Sequence, residues 1–192
     1  MLDGIPLICG GCIGEPGSSG CRGTDKCFKY DPIADNWIER GTMSGAKADH
    51  AYDYTASYGL AMAHTADPLE VTQDGINFEL LADYPNPDVV SFDSGCLVIL
   101  DDKNLFLAGG YTTDSQGSRR AYIYNKDNNS WREVGNMAEP REFHSCGIVP
   151  SASGTGYEVI VAGGRERESY EIFSIETETV DWLKAPLFIA IV

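Results

Sequence analysis

Apolar residues in this chain fall in short runs that stop at turn residues, and every strong local pattern is a short strand. The run LFLAGG ends on Gly109-Gly110. A polar loop follows, then the alternating AYIYN with Tyr124, then a polar turn and Trp131 in SWREV. The same order recurs as VIVAGG with Gly163-Gly164, SYEIFS with Tyr170, and Trp182. It recurs again as PLICGG with Gly10-Gly11, CFKYD with Tyr30, and Trp37. Gly109 and Gly163 are 54 residues apart, and Gly10 and Gly109 are 99 apart, about two periods of roughly 50 residues. A further copy is therefore expected near residue 64. SYGLAMAHT sets His64-Thr65 where the paired glycines belong, and Val71 and Phe78 stand where the other copies have Tyr and Trp.

The spacing predicts repeats over 5–38, 50–80, 95–133 and 144–184, with 187–192 (LFIAIV) as one more strand. Each repeat reads as a four-stranded antiparallel sheet, the first lacking its innermost strand. Segments 12–26 and 39–49 read as loops, and 134–143 as the connection into the last repeat. Four such sheets make one all-β domain over 1–192, packed radially so that both faces of each sheet are covered. The glycine pairs sit at sharp turns that call for positive φ or close backbone approach. The tryptophans and tyrosines supply apolar area between neighbouring sheets, with the tyrosine hydroxyls partnered. These residues are structural.

The chain resembles the kelch repeat family of β-propellers. The resemblance rests on Gly10-Gly11/Tyr30/Trp37, Gly109-Gly110/Tyr124/Trp131 and Gly163-Gly164/Tyr170/Trp182, and on the lead-in segments MAEPREFHSC and GTMSGAKADHAY. It covers nearly the whole chain and departs at His64-Thr65. It implies a propeller of four-stranded blades, commonly six or seven in the family, that binds proteins or peptides across one face. Only about four blades are present here. Either 187–192 supplies the missing first strand and closes a four-bladed ring, or it opens a further blade of a larger ring. An unpaired apolar end favours the second arrangement and, with an incomplete ring, self-association.

Composition narrows the partners. With 29 acidic and 14 basic residues the formal charge is −15, which argues against a nucleic-acid or anionic-membrane surface. No apolar run approaches the roughly 20 residues that span a bilayer, so no membrane insertion is expected. No signal peptide is visible at the N-terminus, which fits an intracellular protein or a processed or incomplete chain.

The six cysteines, Cys9, Cys12, Cys21, Cys27, Cys96 and Cys146, suit disulfides in an oxidising compartment. Cys9 and Cys27 face each other across a predicted ladder. Cys12 and Cys21 would staple the loop between them, and Cys96 and Cys146 hold similar places in successive first strands. This favours a secreted protein, with six reduced thiols in the cytosol as the alternative. The cysteine spacing does not match a zinc site. His50, His64 and His144 belong to different parts of different repeats, so no metal and no cofactor is expected. Asn128-Asn129-Ser130 is a glycosylation sequon on a predicted turn, relevant only to a secreted protein.

Binding residues concentrate on loops held by a rigid scaffold. The loops joining second to third strands share one face with those joining successive repeats. On that face Arg141, Arg165 and Arg167 are cations in an acidic chain, and Tyr111, Arg119 and Arg120 extend the patch; His144 stands at its edge. Arginine offers a rigid donor fork for a carboxylate, although neighbouring Glu142, Glu166 and Glu168 are competing partners. No nucleophile–base pair, phosphate-cradling loop or clustered carboxylate pair stands out. Some family members resemble copper radical oxidases, which need a Tyr–Cys cofactor and histidine ligands that this chain does not assemble. Many others are substrate-recruiting adaptors of the ubiquitin system, and this chain reads alternatively as the recognition piece of one. The expectation is a non-enzymatic scaffold for a protein or peptide ligand.

Overall fold

A computed structural model of the chain describes residues 4–14, 20, 22–64, 68–84, 89–112, 117–151, 153–175 and 185–186. Sixteen strands and no helix occur among them. They form four antiparallel four-stranded sheets of a β-propeller. The first blade holds β1 (Leu7–Cys9), β2 (Cys12–Ile13), β3 (Arg22–Asp31) and β4 (Asn36–Lys47). The second runs β5 (Ala51–Thr55), β6 (Gly59–Ala63), β7 (Glu70–Thr72) and β8 (Glu79–Leu80). The third runs β9 (Val89–Ile99), β10 (Asn104–Thr112), β11 (Ser118–Asn125) and β12 (Ser130–Arg141). The fourth runs β13 (Ser145–Pro150), β14 (Tyr157–Ala162), β15 (Ser169–Ser174) and β16 (Ala185–Pro186).

In the first blade β1 and β2 both pair with β3. They are one second strand interrupted at Gly10-Gly11, and no described strand lies inside it. The first strands of the other blades touch in series, β5 against β9 and β9 against β13. The backbone of Ile99 donates to Asp53 Oδ2 at 2.7 Å between two of them.

Side chains alternate across each strand, so every blade has a face for each neighbour. Leu105 and Leu107 of β10, with Tyr122 and Tyr124 of β11, join Ala61, Ala63, Leu69 and Val71 in the seam between the second and third blades. Phe106, Ala108, Ala121 and Ile123 point the other way and pack with Val159, Val161 and Phe173 of the fourth blade. A smaller cluster of Cys27, Met43 and Met62 joins the first blade to the second. Each fully buried Leu or Phe contributes about 1.5–3 kcal/mol, which is why sheets this short are stable only in company.

Register decides which residues are equivalent. Tyr30 pairs with Trp37 and Tyr124 with Trp131. The rings of each pair are 5.5 and 5.2 Å apart. Each tyrosine hydroxyl donates to the left-handed residue of its hairpin, Asp35 or Asn129. Trp131 is also fixed across the seam, where its Nε1 donates to Ala82 O at 2.9 Å. Trp37, by contrast, is 44 % exposed, because no described blade precedes the first.

In the fourth blade the expected tyrosine is displaced. Leu105 opposes Tyr124 in the third blade, and the equivalent Val159 opposes Phe173. Tyr170 opposes Ala162, the register of Ala121 against Ala108. Phe173 therefore occupies the signature position, and a short loop after Gly164 brought Tyr170 into view too early. The second blade shows a smaller shift of the same kind, since Thr72 and not Val71 opposes Leu60. Trp182 and the strand expected over 187–192 lie outside the described residues.

Two expected loops are strands, and the expected loop over 12–26 holds β2 and the start of β3. β4 runs on to Lys47 and β12 to Arg141, so most of 39–49 and 134–143 is extended backbone. Disulfides join Cys9 to Cys27 across the β1–β3 ladder and Cys96 to Cys146 between the first strands of the third and fourth blades. Cys12 is also disulfide-bonded; its expected partner, Cys21, lies outside the described residues.

Candidate functional site

The late part of each second strand, the start of each third, the end of each fourth and the start of the next blade's first strand all meet at one end of the sheets. In the third blade this follows from Ser118 pairing with Arg141 and Gly109 with Gly95. In the fourth it follows from Ser145 pairing with Ala162 and Ala162 with Tyr170. Tyr111, Arg119, Arg141, His144, Arg165 and Arg167 all belong to this end.

The extended fourth strands are held by a carboxylate from the next blade. Ala138 N and Glu139 N donate to Glu171 at 2.6 and 3.2 Å. In the preceding seam but one, Ser44 N donates to Glu70 Oε1 at 2.7 Å. A buried cation at the strand's last residue completes each arrangement. Arg141 Nη2 lies 2.9 Å from Glu171 Oε1, with both side chains fully buried. Lys47 Nζ lies 3.8 Å from Glu70 Oε2, again buried on both sides. Arg141 further donates to Gly163 O at 2.7 Å and to Ser169 O at 3.0 Å, so almost its whole donor fork is spent on the fourth blade.

This corrects the expectation that Arg141 is offered to a ligand. Its guanidinium lies inside the seam and ties one blade to the next. His144 is likewise buried. It packs on Gly109, whose φ is +73°, and a β-carbon there would lie 2.2 Å from His144 Cε1 and 2.7 Å from Arg141 O. His50 has the same relation to Gly10 (φ +69°), with Cε1 2.9 Å from a β-carbon position. Burial, reinforced by the Arg141 guanidinium, lowers the His144 pKa to about 4. Burial, then His64 and Lys47, lowers that of His50 to about 4. Both imidazoles are neutral packing groups at neutral pH. They line a cavity of about 230 Å³ between the first strands, together with Tyr52 and the Cys96–Cys146 bridge.

The remaining sequence-predicted residues stay nearer the surface. Arg119 is exposed and donates to Ala138 O. Arg165 is exposed, with Nη1 3.1 Å from Glu142 Oε1. Arg167 is half-buried and donates from Nε to Pro140 O at 3.3 Å. Tyr111 is half-buried and bridges to Gly117. Arg120 pairs with Glu133 at 3.0 Å.

Sequence reasoning missed Lys47, Glu70 and Glu171, and it missed Phe143. The signal for the first three was present: KADH and REFH place a cation three residues before a histidine at the same point of two repeats, and LEV and YEI place the acids. Phe143 carried no such signal. Among the described residues no group of three or more His, Cys, Asp or Glu is placed to hold a metal ion. No described helix is long and apolar enough to cross a membrane.

Comparison with known proteins agrees with this geometry. Residues 94–138, which hold most of the third blade, match the family model described as the Kelch motif. Kelch-like protein 23 of Pongo abelii is 30% identical over 151 residues, covering 73% of this chain and 25% of that relative. The similarity thus spans about a quarter of the relative's length.

Proposed function

We propose, this chain being a kelch-repeat protein, that the loop-bearing end of its blades is a docking face for a protein or peptide segment and has no chemistry of its own. The observation that supports this reading is the pairing of exposed cations with a rigid floor. Arg119 and Arg165 are exposed in a chain of formal charge −15. The backbone beneath them is fastened by the buried Arg141–Glu171 network. Rigid scaffolds lower the ordering cost of binding, and arginine forks recognise carboxylates. Arg119, Arg165, Arg167 and Tyr111 are the contact residues in this reading; Arg141 and His144 support them from below. The disulfides suit an oxidising compartment, extracellular by preference.

Hydrogen exchange on the whole chain, with and without a partner isolated from its source, tests the reading. Slowed exchange is expected at 109–112, 117–120, 141–145 and 163–168, and Arg119→Glu with Arg165→Glu is expected to remove it. Protection confined to the hairpins at the opposite end would refute the proposed face.

A further inference from the structure

We propose that Phe143 and Arg165 together form a shelf for a short extended peptide in which a carboxylate side chain stands next to an aromatic or large aliphatic one. The proposal rests on the docking-face reading and names what that face takes.

Phe143 has φ +53°, a left-handed conformation that bulky residues seldom adopt. The fold asks only for the backbone shape. Asp49 holds the equivalent place before His50 with φ +52°, and aspartate is among the few residues that tolerate it. Phe143 donates its main-chain N to Ser94 O at 2.7 Å, a bond that glycine or asparagine would make equally well. Burial does not offset the conformation either, because the residue is 54 % exposed. An aromatic ring is thus left half in solvent at a strained position whose main-chain bond does not require it. Strained residues of this kind cluster at ligand clamps.

The ring is not alone. The guanidinium of Arg165 lies over it, 5.0 Å from the centroid. Arg165 is positioned twice by Glu142: its N donates to Glu142 O at 2.9 Å, and Nη1 lies 3.1 Å from Oε1. Its side chain is nevertheless 54 % exposed, so part of the donor fork faces solvent. Stacking and ion pairing fix the cation before any ligand arrives. The exposed part of the fork matches a carboxylate, and the exposed part of the ring matches an apolar side chain. A nucleic acid fits poorly, because Glu142, Glu166 and Glu168 flank the cation and the whole chain is strongly acidic.

The test is a selection of phage-displayed random 12-residue peptides on the whole chain, followed by fluorescence anisotropy with the synthetic consensus peptide. Enrichment of Asp or Glu next to Phe, Tyr, Trp or Leu is expected. Phe143→Gly is expected to weaken binding at least tenfold while raising the melting temperature, because it relieves the backbone. A merely structural phenyl ring would not move the two readouts in opposite directions. Arg165→Gln is expected to weaken the same peptide at least tenfold without lowering the melting temperature. An empty selection, a consensus rich in Lys or Arg, or binding to Phe143→Gly within twofold of the parent overturns the shelf. If peptides lose affinity to Arg119→Gln with Arg167→Gln but not to Phe143→Gly, the shelf fails and the docking face stands. If neither change matters, both fail.

Discussion

Arg141 at the end of β12 and Glu171 in β15 of the next blade lie 2.9 Å apart with neither side chain exposed. Removing one member of such a pair leaves the other charged and buried. Arg141→Ala and Glu171→Ala should each cost about 3–5 kcal/mol. Arg165→Ala, in a pair whose guanidinium is exposed although Glu142 is buried, should cost less than either. Urea unfolding of the three variants checks this. Equal costs for Arg141 and Arg165 would show that the seam does not depend on the buried pair.

Gly109 and Gly163 share one backbone conformation, φ +73° and +72°, in different surroundings. A β-carbon at Gly109 meets His144 and Arg141, whereas one at Gly163 meets no atom of the described residues within 4 Å. Gly163→Ala should therefore carry only the left-handed penalty, about 1–2 kcal/mol. Gly109→Ala should add overpacking of about 1–3 kcal/mol. Thermal melts of the two variants would contradict this account if they fell together.

His50 and His144 have pKa values near 4 in the fold, against about 6.5 when unfolded. The unfolded chain therefore binds more protons as pH falls below about 6.5. The stability these neutral imidazoles confer is complete above that pH and is lost progressively down to about 4. The loss is at most about 3 kcal/mol per histidine. Denaturant midpoints between pH 7 and pH 4.5 should fall, and His144→Asn should flatten the fall. An unchanged slope in that variant would assign the acid sensitivity to other groups.

The Cys96–Cys146 bridge closes a sequence separation of 50 residues. Loop-closure entropy gives such a link about 4 kcal/mol. Cys146→Ser should lower stability by about that amount, and intact mass after alkylation without reductant should report no free thiol at Cys9, Cys27, Cys96 or Cys146 in the parent chain. Alkylation of Cys96 in the oxidised parent would rule the bridge out.

The repeat was legible because its signals are local. A glycine pair, an alternating strand and an aromatic after a turn each leave a mark within a few residues, and their order survives variation in loop length. Tyr170 was misplaced for the complementary reason. Strand register is set by the ladder, and the first aromatic after the glycines, Tyr170, is not the one opposite Val159, which is Phe173. The cations of the face were legible as composition but not as burial. Arg141 and Arg165 look alike in sequence, and only the carboxylate of Glu171, thirty residues away, sends one inside. Phe143 was invisible because nothing in a sequence announces a positive φ at a phenylalanine.

The third blade places Tyr122 where its neighbours place Glu70 and Glu171, each opposing the matching residue of its second strand. The middle seam is accordingly an aromatic joint of Tyr122, Phe92, Tyr84 and Trp131, set between two ionic ones. Apolar contacts weaken on cooling, while each ionic joint has a neutral buried histidine beside its cation, His50 near Lys47 and His144 near Arg141, that acid forces to charge. Chilling and acid thus strain different hinges of the same wheel, and the place where it first comes apart is chosen by the weather around it.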